Sequence, residues 1–382
     1  MGEGFNLPLV GRRALLRLAA GAAVAKLGAG PGPQSEKRPA ERAVVVTIGG
    51  VRRRETFSAG GIDNIPRLHG DLLPRSLFFE RVINEGVTSH FNTITSILTG
   101  TWQHLDDWGR DPPQHPNLLQ YLRSQRGLEP ADTWVVTSNK AVTNHVGVGG
   151  NVILSKQLLV EAVERIIMGY SRRRRLEREL LLEELTEVMQ QDYERLGWEV
   201  PSPAATMDPE LKETFLTALA NFMRGPESAT SGDELTLLVA SEVLRRVAPV
   251  LLVINFSDVE VAHSGLYSAH LAGIRRTDML CFRLWNLLES LPAYRGATTL
   301  VILPEFGRDP DGSSTNGFFN HRTDTEENRV TWMMVLGRAV RKPAVIERLV
   351  RHIDLAPSLG ARLGVRCAKA TGEPLPELVG AA

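Results

Sequence analysis

The chain has 382 residues, of which 43% are apolar and 23% charged, so it is long and apolar enough to bury one large core. Lys and Arg (44) balance Asp and Glu (44), and the formal net charge of zero gives no reason to expect nucleic acid or an anionic membrane as a partner. No apolar run in the sequence is long enough to span a bilayer. The two cysteines, Cys281 and Cys367, do not indicate a disulfide framework.

The N-terminal segment has a different composition from the rest of the chain. Arg12 and Arg13 precede a weakly apolar, Ala- and Gly-rich stretch that reaches about residue 29, and residues 31–39 are rich in Pro and Gly. This pattern is similar to a twin-arginine export signal followed by a linker. We therefore expect residues 1–34 to direct export to the periplasm or the cell exterior, and residues 40–382 to form the folded domain. The alternative is a disordered basic tail.

Apolar runs alternate with helical patterns along the remainder of the chain. In chain order, the sequence predicts a strand at 43–48, helices at 74–86 and 118–126, strands at 133–137 and 249–254, a helix at 269–291, and strands at 298–303 and 331–336. Such alternation predicts an α/β fold with a mostly parallel sheet and helices on both faces. Leucines at helical spacing, with a helix start at Asp208-Pro209, predict a helical insertion at about 155–230.

Acidic and imidazole side chains follow two of the predicted buried strands. The strand at 249–254 leads into Asp258, Glu260 and His263, and the strand at 298–303 leads into Glu305 and the later His321. Ligands of α/β proteins bind at the carboxyl ends of strands, and these side chains are the donors that divalent metals use. The sequence thus predicts a divalent metal site (Zn, Mn or Ca) with these candidate ligands: Asp258, Glu260, His263, Glu305 and His321.

Four short segments also stand in a fixed order within residues 43–366. Residues 97–100 read Ile-Leu-Thr-Gly, residues 255–265 place acids and a histidine before a glycine, residues 299–309 lead into Glu-Phe-Gly, and residues 354–358 read Asp-Leu-Ala-Pro-Ser. Together they resemble motifs of the alkaline phosphatase superfamily, including its sulfatase-like and phosphodiesterase-like branches. The resemblance implies an alkaline phosphatase-like fold and a site with two metals, or with one as in sulfatases.

Residue by residue, the resemblance implies that the ligands of one metal ion are present and that those of the other are altered. Asp258 or Glu260, with His263 and His321, would form the first set. In the second set, Gly49 or Gly50 replaces an aspartate that the family has after the first strand, and Glu305-Phe306 replaces an Asp-His pair. Glutamate can ligate a hard cation, but phenylalanine cannot. The neighbouring Arg308 and Asp309 are expected to form an ion pair.

The residue that would attack the substrate remains open among three candidates. The resemblance places the nucleophile at His90, where the family has Thr, Ser or a modified Cys, and histidine can accept a phosphoryl group in principle. Ser89 and Thr93 are hydroxyls that a shifted loop could present, although Thr93 is equally suited to cap the following helix.

The leading hypothesis is an exported, metal-dependent hydrolase of a small-molecule or polymeric phosphate or sulfate ester. The alternative is a catalytically degenerate relative with a binding or structural role in the periplasm, which Gly49, Gly50 and Phe306 favour. A phosphotransferase or mutase on the same fold would use the same residues.

Overall fold

The computed structural model of the protein describes residues 41–380, with the exception of residues 108, 140, 141, 143–145, 147, 148, 156, 157, 159–208 and 225–230. The predicted export signal at 1–34 and most of the predicted insertion at about 155–230 lie outside the described residues.

The described strands form one eight-stranded sheet, in the order β4-β3-β5-β1-β6-β7-β2-β8. Strand β7 is antiparallel to both of its neighbours, and the other pairings are parallel. This confirms the prediction of a mostly parallel sheet. The strands are β1 Arg42–Ile48, β2 Leu77–Ile83, β3 Thr133–Thr137, β4 Asn151–Leu154, β5 Leu251–Phe256, β6 Thr298–Pro304, β7 Val330–Gly337 and β8 Ala344–Arg351.

Helices cover both faces of the sheet, which explains why its central strands are buried at nearly every position. Val44 and Val46 of β1 belong to one buried cluster, whereas Val45 belongs to another, as expected for side chains that alternate across a strand. Helices α3 to α5 contribute to the first cluster, and α1, α2 and α7 to the second. The helices are α1 His90–Thr99, α2 Leu118–Arg126, α3 Pro209–Arg224, α4 Gly232–Arg246, α5 Tyr267–Ser290, α6 Glu326–Arg329, α7 Leu355–Arg362 and α8 Pro376–Val379.

The expected helix at 74–86 is a strand instead. Pro74 lies in the short turn Leu73–Arg75, and the apolar run that follows it is β2, which pairs with β7 and β8. A short apolar run fits a strand or a buried helix equally well by periodicity, and pairing with distant segments decides between them. None of the helices in the described part of the chain is long and apolar enough to cross a membrane.

Strand directions explain why distant segments meet at one edge of the sheet. Ile48 pairs with both Phe256 and Pro304, so β1, β5 and β6 end side by side. Strand β2 is antiparallel to β7, which is antiparallel to β6, so β2 ends at the same edge and α1 begins near it. Strand β7 starts at this edge, and the loop before it therefore lies there as well.

Candidate metal centre

Four side chains from three segments converge at this edge. They are His90, Glu260, His263 and His321, and one ligand atom from each lies within 4.8 Å of the others. Nε2 of His263 is 3.0 Å from Oε2 of Glu260 and 3.3 Å from Nε2 of His321. Nε2 of His90 is 3.5 Å from the same Glu260 oxygen. Of the sequence-predicted site residues, the structure thus brings Glu260, His263, His321 and His90 together.

A tight helical turn, Asp258–Ser264, sets which residues of the β5 segment reach this cluster. Positions three residues apart lie on one side of such a turn, so Glu260 and His263 face the same way. Asp258 faces elsewhere. Its carboxylate accepts a hydrogen bond from Arg276 at 3.1 Å and another, at 3.3 Å, from the backbone N–H of Asp233. The structure does not bring Asp258 to the cluster.

Two of the three histidines are held by their Nδ1 atoms, which leaves Nε2 directed at the cluster. Nδ1 of His321 lies 2.6 Å from the carbonyl oxygen of Thr88, and a carbonyl can only accept, so Nδ1 carries the proton. Nδ1 of His90 lies 2.6 Å from Oε2 of Glu305. The other oxygen of Glu305 accepts a hydrogen bond from Asn255 at 2.6 Å. Glu305 therefore stands behind His90 and does not belong to the cluster itself.

Glu260 occupies the space beside the two glycines that follow β1. Its Oε1 accepts a hydrogen bond from the N–H of Gly50 at 2.6 Å, and its Oε2 lies 2.8 Å from the buried guanidinium of Arg308. A β-carbon at position 49 would lie 3.1 Å from Cδ of Glu260, closer than ordinary carbon–carbon contact. The absence of a side chain at Gly49 is therefore what admits the Glu260 carboxylate.

Arg308 has a different partner from the one expected. It donates to the carbonyl oxygens of Gly50 at 2.8 Å and Phe318 at 3.3 Å, in addition to its contact with Glu260. The expected ion pair with Asp309 does not form, because the Asp309 carboxylate accepts hydrogen bonds from the loop at Arg322 and Thr323. Asp309 thus stabilises the loop that contains His321, and Arg308 neutralises the Glu260 carboxylate of the cluster.

Burial and the local charges give the cluster members different protonation states. Burial opposes a charge on His90, but the Glu260 and Glu305 carboxylates outweigh it and raise its pKa to about 10. Burial together with the positive charges nearby lowers the pKa of His321 to about 3, so its imidazole is neutral. Burial opposes ionisation of Glu260, yet Arg308 and His90 hold its pKa well below the usual range. The cluster therefore contains an ionised carboxylate and a neutral imidazole, both in the form that binds a cation.

The two hydroxyl candidates for the nucleophile are engaged in local hydrogen bonds. Oγ of Ser89 accepts a hydrogen bond from Asn92 at 2.9 Å. Oγ1 of Thr93 is buried, accepts from Asn84 at 2.9 Å and donates to the carbonyl of Val87 at 3.2 Å. Of the three nucleophile candidates, His90 is the one whose functional atom faces the cluster.

The donor set fits a divalent metal ion by two independent criteria. Oε2 of Glu260 is buried and, within the described residues, accepts no hydrogen bond of normal geometry, although three side-chain nitrogens surround it. Ligand atoms about 2.0–2.1 Å from a tetrahedral zinc ion are about 3.3 Å from one another. Three of the six spacings among the four ligand atoms, at 3.0, 3.3 and 3.5 Å, lie close to that edge length, and the other three are within 4.8 Å.

The fold is similar to solved structures at low sequence identity. A protein in the alkaline phosphatase superfamily from Vibrio parahaemolyticus matches with a TM-score of 0.56 and 12% identity, over 88% of this chain and 69% of that one. The wild-type alkaline phosphatase PafA matches with a TM-score of 0.55 and 10% identity, over 90% and 99%. A 2-O GAG sulfatase, BT1596, matches with a TM-score of 0.50 and 13% identity, over 90% and 75%. No protein-family model matches the chain, and no curated protein does so either.

Proposed function

We propose that this chain, which has the fold of the alkaline phosphatase superfamily, is a metal-dependent hydrolase of phosphate or sulfate esters. The observation that supports it best is the convergence of Glu260, His263 and His321 at the carboxyl edge of the sheet. Two of the three solved structures named above are an alkaline phosphatase and a sulfatase, which supports this substrate class for the proposal.

The donor set favours zinc or manganese over calcium. Imidazole nitrogens outnumber carboxylate oxygens in the cluster, whereas calcium takes six to eight oxygen ligands. A bound divalent ion would supply a positive charge next to the non-bridging oxygens of the ester, where negative charge grows during attack.

Neighbouring residues hold the side chains that would bind the ion. Gly50 N–H and Arg308 hold the two oxygens of the Glu260 carboxylate, and Thr88 fixes the ring of His321. Phe306 is fully buried and stacks on His321, with the ring centroids 4.2 Å apart. Phe306, which cannot ligate a metal, thus fixes the ring of His321, which can. His263 is 43% exposed, so the cluster is open to solvent on its side.

The test replaces His263 with Ala and measures metal content and turnover together. We expect the wild-type protein to retain about one zinc or manganese per chain and to release phosphate or sulfate from aryl esters, and the variant to lose both. The exposed His69 provides the matched control, His69→Ala, which should change neither. Metal-loaded wild-type protein that hydrolyses no phosphate or sulfate ester would contradict the proposed activity.

The second candidate function is a non-catalytic, ligand-binding protein with the same fold. The observation that favours it is the Arg308–Glu260 pair, since it places a fixed cation where a hydrolase could use a second metal. Under this hypothesis His263→Ala would leave the affinity for a phosphate or sulfate anion unchanged, whereas the hydrolase should lose it with the metal.

Export is a further part of the proposal and rests on the pattern around Arg12 and Arg13. Replacing both arginines with lysine keeps the charge but changes the twin-arginine pair. We expect the wild-type chain, and not this double variant, to reach the periplasm in a cell-fractionation experiment. Equal distributions of the two would contradict export by this route.

A further inference from the structure

His90 stands at the position where the superfamily resemblance places the nucleophile, and two roles are open to it. As a nucleophile, it would bond covalently to the substrate through Nε2. As a metal ligand, it would use the same nitrogen, after releasing the proton that the Glu260 and Glu305 carboxylates keep on the ring in the metal-free protein, and it could not attack. The arrangement of its neighbours distinguishes between these roles.

The geometry points to His90 as the fourth ligand of the metal centre, with Glu305 and Asn255 as the residues that orient it. This inference deepens the proposed function, because it assigns the ligand set of the same site. It makes the protein-derived donor set three imidazole nitrogens and one carboxylate oxygen: His90, His263, His321 and Glu260.

The first support is the position of Nε2 of His90. It lies 3.5 Å from Oε2 of Glu260, which is also 3.0 Å from Nε2 of His263. Both values are close to the spacing of about 3.3 Å between neighbouring ligands of tetrahedral zinc. A nucleophile should point toward a substrate beside the metal, whereas this nitrogen lies within 4.8 Å of the other three donor atoms.

The second support is the hydrogen bonding behind the ring. Metal-ligating histidines nearly always donate their other N–H to a carboxylate or a backbone carbonyl. Nδ1 of His90 meets the fully buried carboxylate of Glu305 at 2.6 Å, and Asn255 holds the second oxygen of that carboxylate. His321 has the equivalent arrangement with the carbonyl of Thr88 at 2.6 Å. Both rings are thus held through Nδ1, which leaves Nε2 of each on the side of the other donors.

A ligand role for His90 changes the expected course of ester hydrolysis. With His90 bound to metal and Ser89 and Thr93 held by Asn92 and Asn84, water is left as the attacking group. The water oxygen would bond to phosphorus or sulfur as the ester P–O or S–O bond breaks, and a proton from the water would pass to the departing alkoxide. No covalent enzyme intermediate would form.

The test measures zinc affinity by competition with a chromophoric chelator for the wild type, His90→Ala, Glu305→Gln and the control His69→Ala. We expect His90→Ala to bind zinc at least about 100-fold more weakly, and Glu305→Gln about 10- to 100-fold more weakly, because outer-shell partners have effects of that size. His69→Ala should match the wild type. Circular dichroism of the chelated proteins shows whether each variant is folded, and Glu305→Gln serves as the test if His90→Ala is not.

Three outcomes would overturn the inference. They are wild-type zinc affinity in folded His90→Ala or Glu305→Gln, no zinc binding by the wild type, and a phosphorylated His90 detected by mass spectrometry after incubation with p-nitrophenyl phosphate. Failure of the proposed function is distinguishable from these. Zinc binding that depends on His90, without hydrolysis of any ester, would refute the activity and leave the ligand assignment intact.

Discussion

Gly49→Ala should disturb the proposed metal centre without adding or removing a ligand. The new β-carbon would lie 3.1 Å from Cδ of Glu260 and 3.0 Å from Cγ2 of Val259, whereas carbon atoms normally approach to about 3.5–4.0 Å. Val259 is fully buried, so the Glu260 side chain is the group that must give way, by about 0.5 Å or more.

This displacement has a calculable cost. The carboxylate would lose or weaken its 2.6 Å hydrogen bond with the N–H of Gly50, and a hydrogen bond to a charged group contributes about 1.5–3 kcal/mol. If half to all of that is lost in the metal-binding conformation, zinc affinity falls by about 4- to 150-fold. The backbone at residue 49 does not have a positive φ, so the effect comes from crowding and not from backbone strain.

Zinc affinity by chelator competition measures the effect, and urea unfolding of the chelated protein checks the fold. Gly60→Ala is the matched control, because a β-carbon there would have no neighbour within 4 Å. Its zinc affinity should equal that of the wild type. If Gly49→Ala also bound zinc like the wild type, Glu260 would not be a ligand held against these glycines, and the reasoning would fail.

Three further substitutions test the surroundings of the cluster by urea unfolding. Asn255→Leu leaves an oxygen of the buried Glu305 without its donor and should lower the free energy of unfolding by about 1–3 kcal/mol; equal stability would show that Asn255 does not hold Glu305. Arg308→Met leaves Glu260 without its buried cation and should cost about 3 kcal/mol in the chelated protein, an effect that saturating zinc should reduce; a loss below 1 kcal/mol would contradict the pairing. Burial raises the pKa of Asp278 to about 6. Between pH 4 and 6 the folded protein therefore keeps a proton on Asp278 that the unfolded chain has released. The free energy of unfolding accordingly falls as the pH rises through this range. Asp278→Asn should therefore gain about 3 kcal/mol relative to the wild type between pH 4 and 7, and a pH-independent difference would contradict the shift.

The sequence predicted the central strands because burial on both faces makes them continuous apolar runs. Strands β1, β5 and β6 are of this kind, and their bounds differ from the predicted ones by one or two residues. Strand β8 has the opposite character: most of its residues are exposed, so it lacks the buried apolar run by which the other strands were predicted. Strand β2 was mistaken for a helix because its partners, β7 and β8, are about 250 residues away in the chain.

For the site, the sequence predicted the residue types better than their partners. It did not decide whether Asp258 or Glu260 is the metal ligand, because both follow β5. The tight turn decides this, since it places Glu260 on the same side as His263. The sequence paired Arg308 with its neighbour Asp309, whereas the fold pairs it with a residue 48 positions earlier. Such a pairing forms because the segments after β5 and β6 meet in space, and the spacing of residues along the sequence cannot predict it.

The altered positions make physical sense as one compensated change. A residue without a side chain at position 49 opens a space beside β1, and the longer Glu260 side chain enters it from the neighbouring strand end. A carboxylate in that place, largely enclosed by protein, requires a positive partner. Arg308 supplies it from the third strand end, and its remaining contacts are with carbonyl oxygens, so it is fixed in place. A metal-ligating side chain is then not needed at Phe306, because the positive charge beside Glu260 comes from the Arg308 side chain and not from a second metal ion. The departures from the alkaline phosphatase-like motifs thus belong together, and under the proposed function they describe a rebuilt centre with one metal and one guanidinium instead of independent losses.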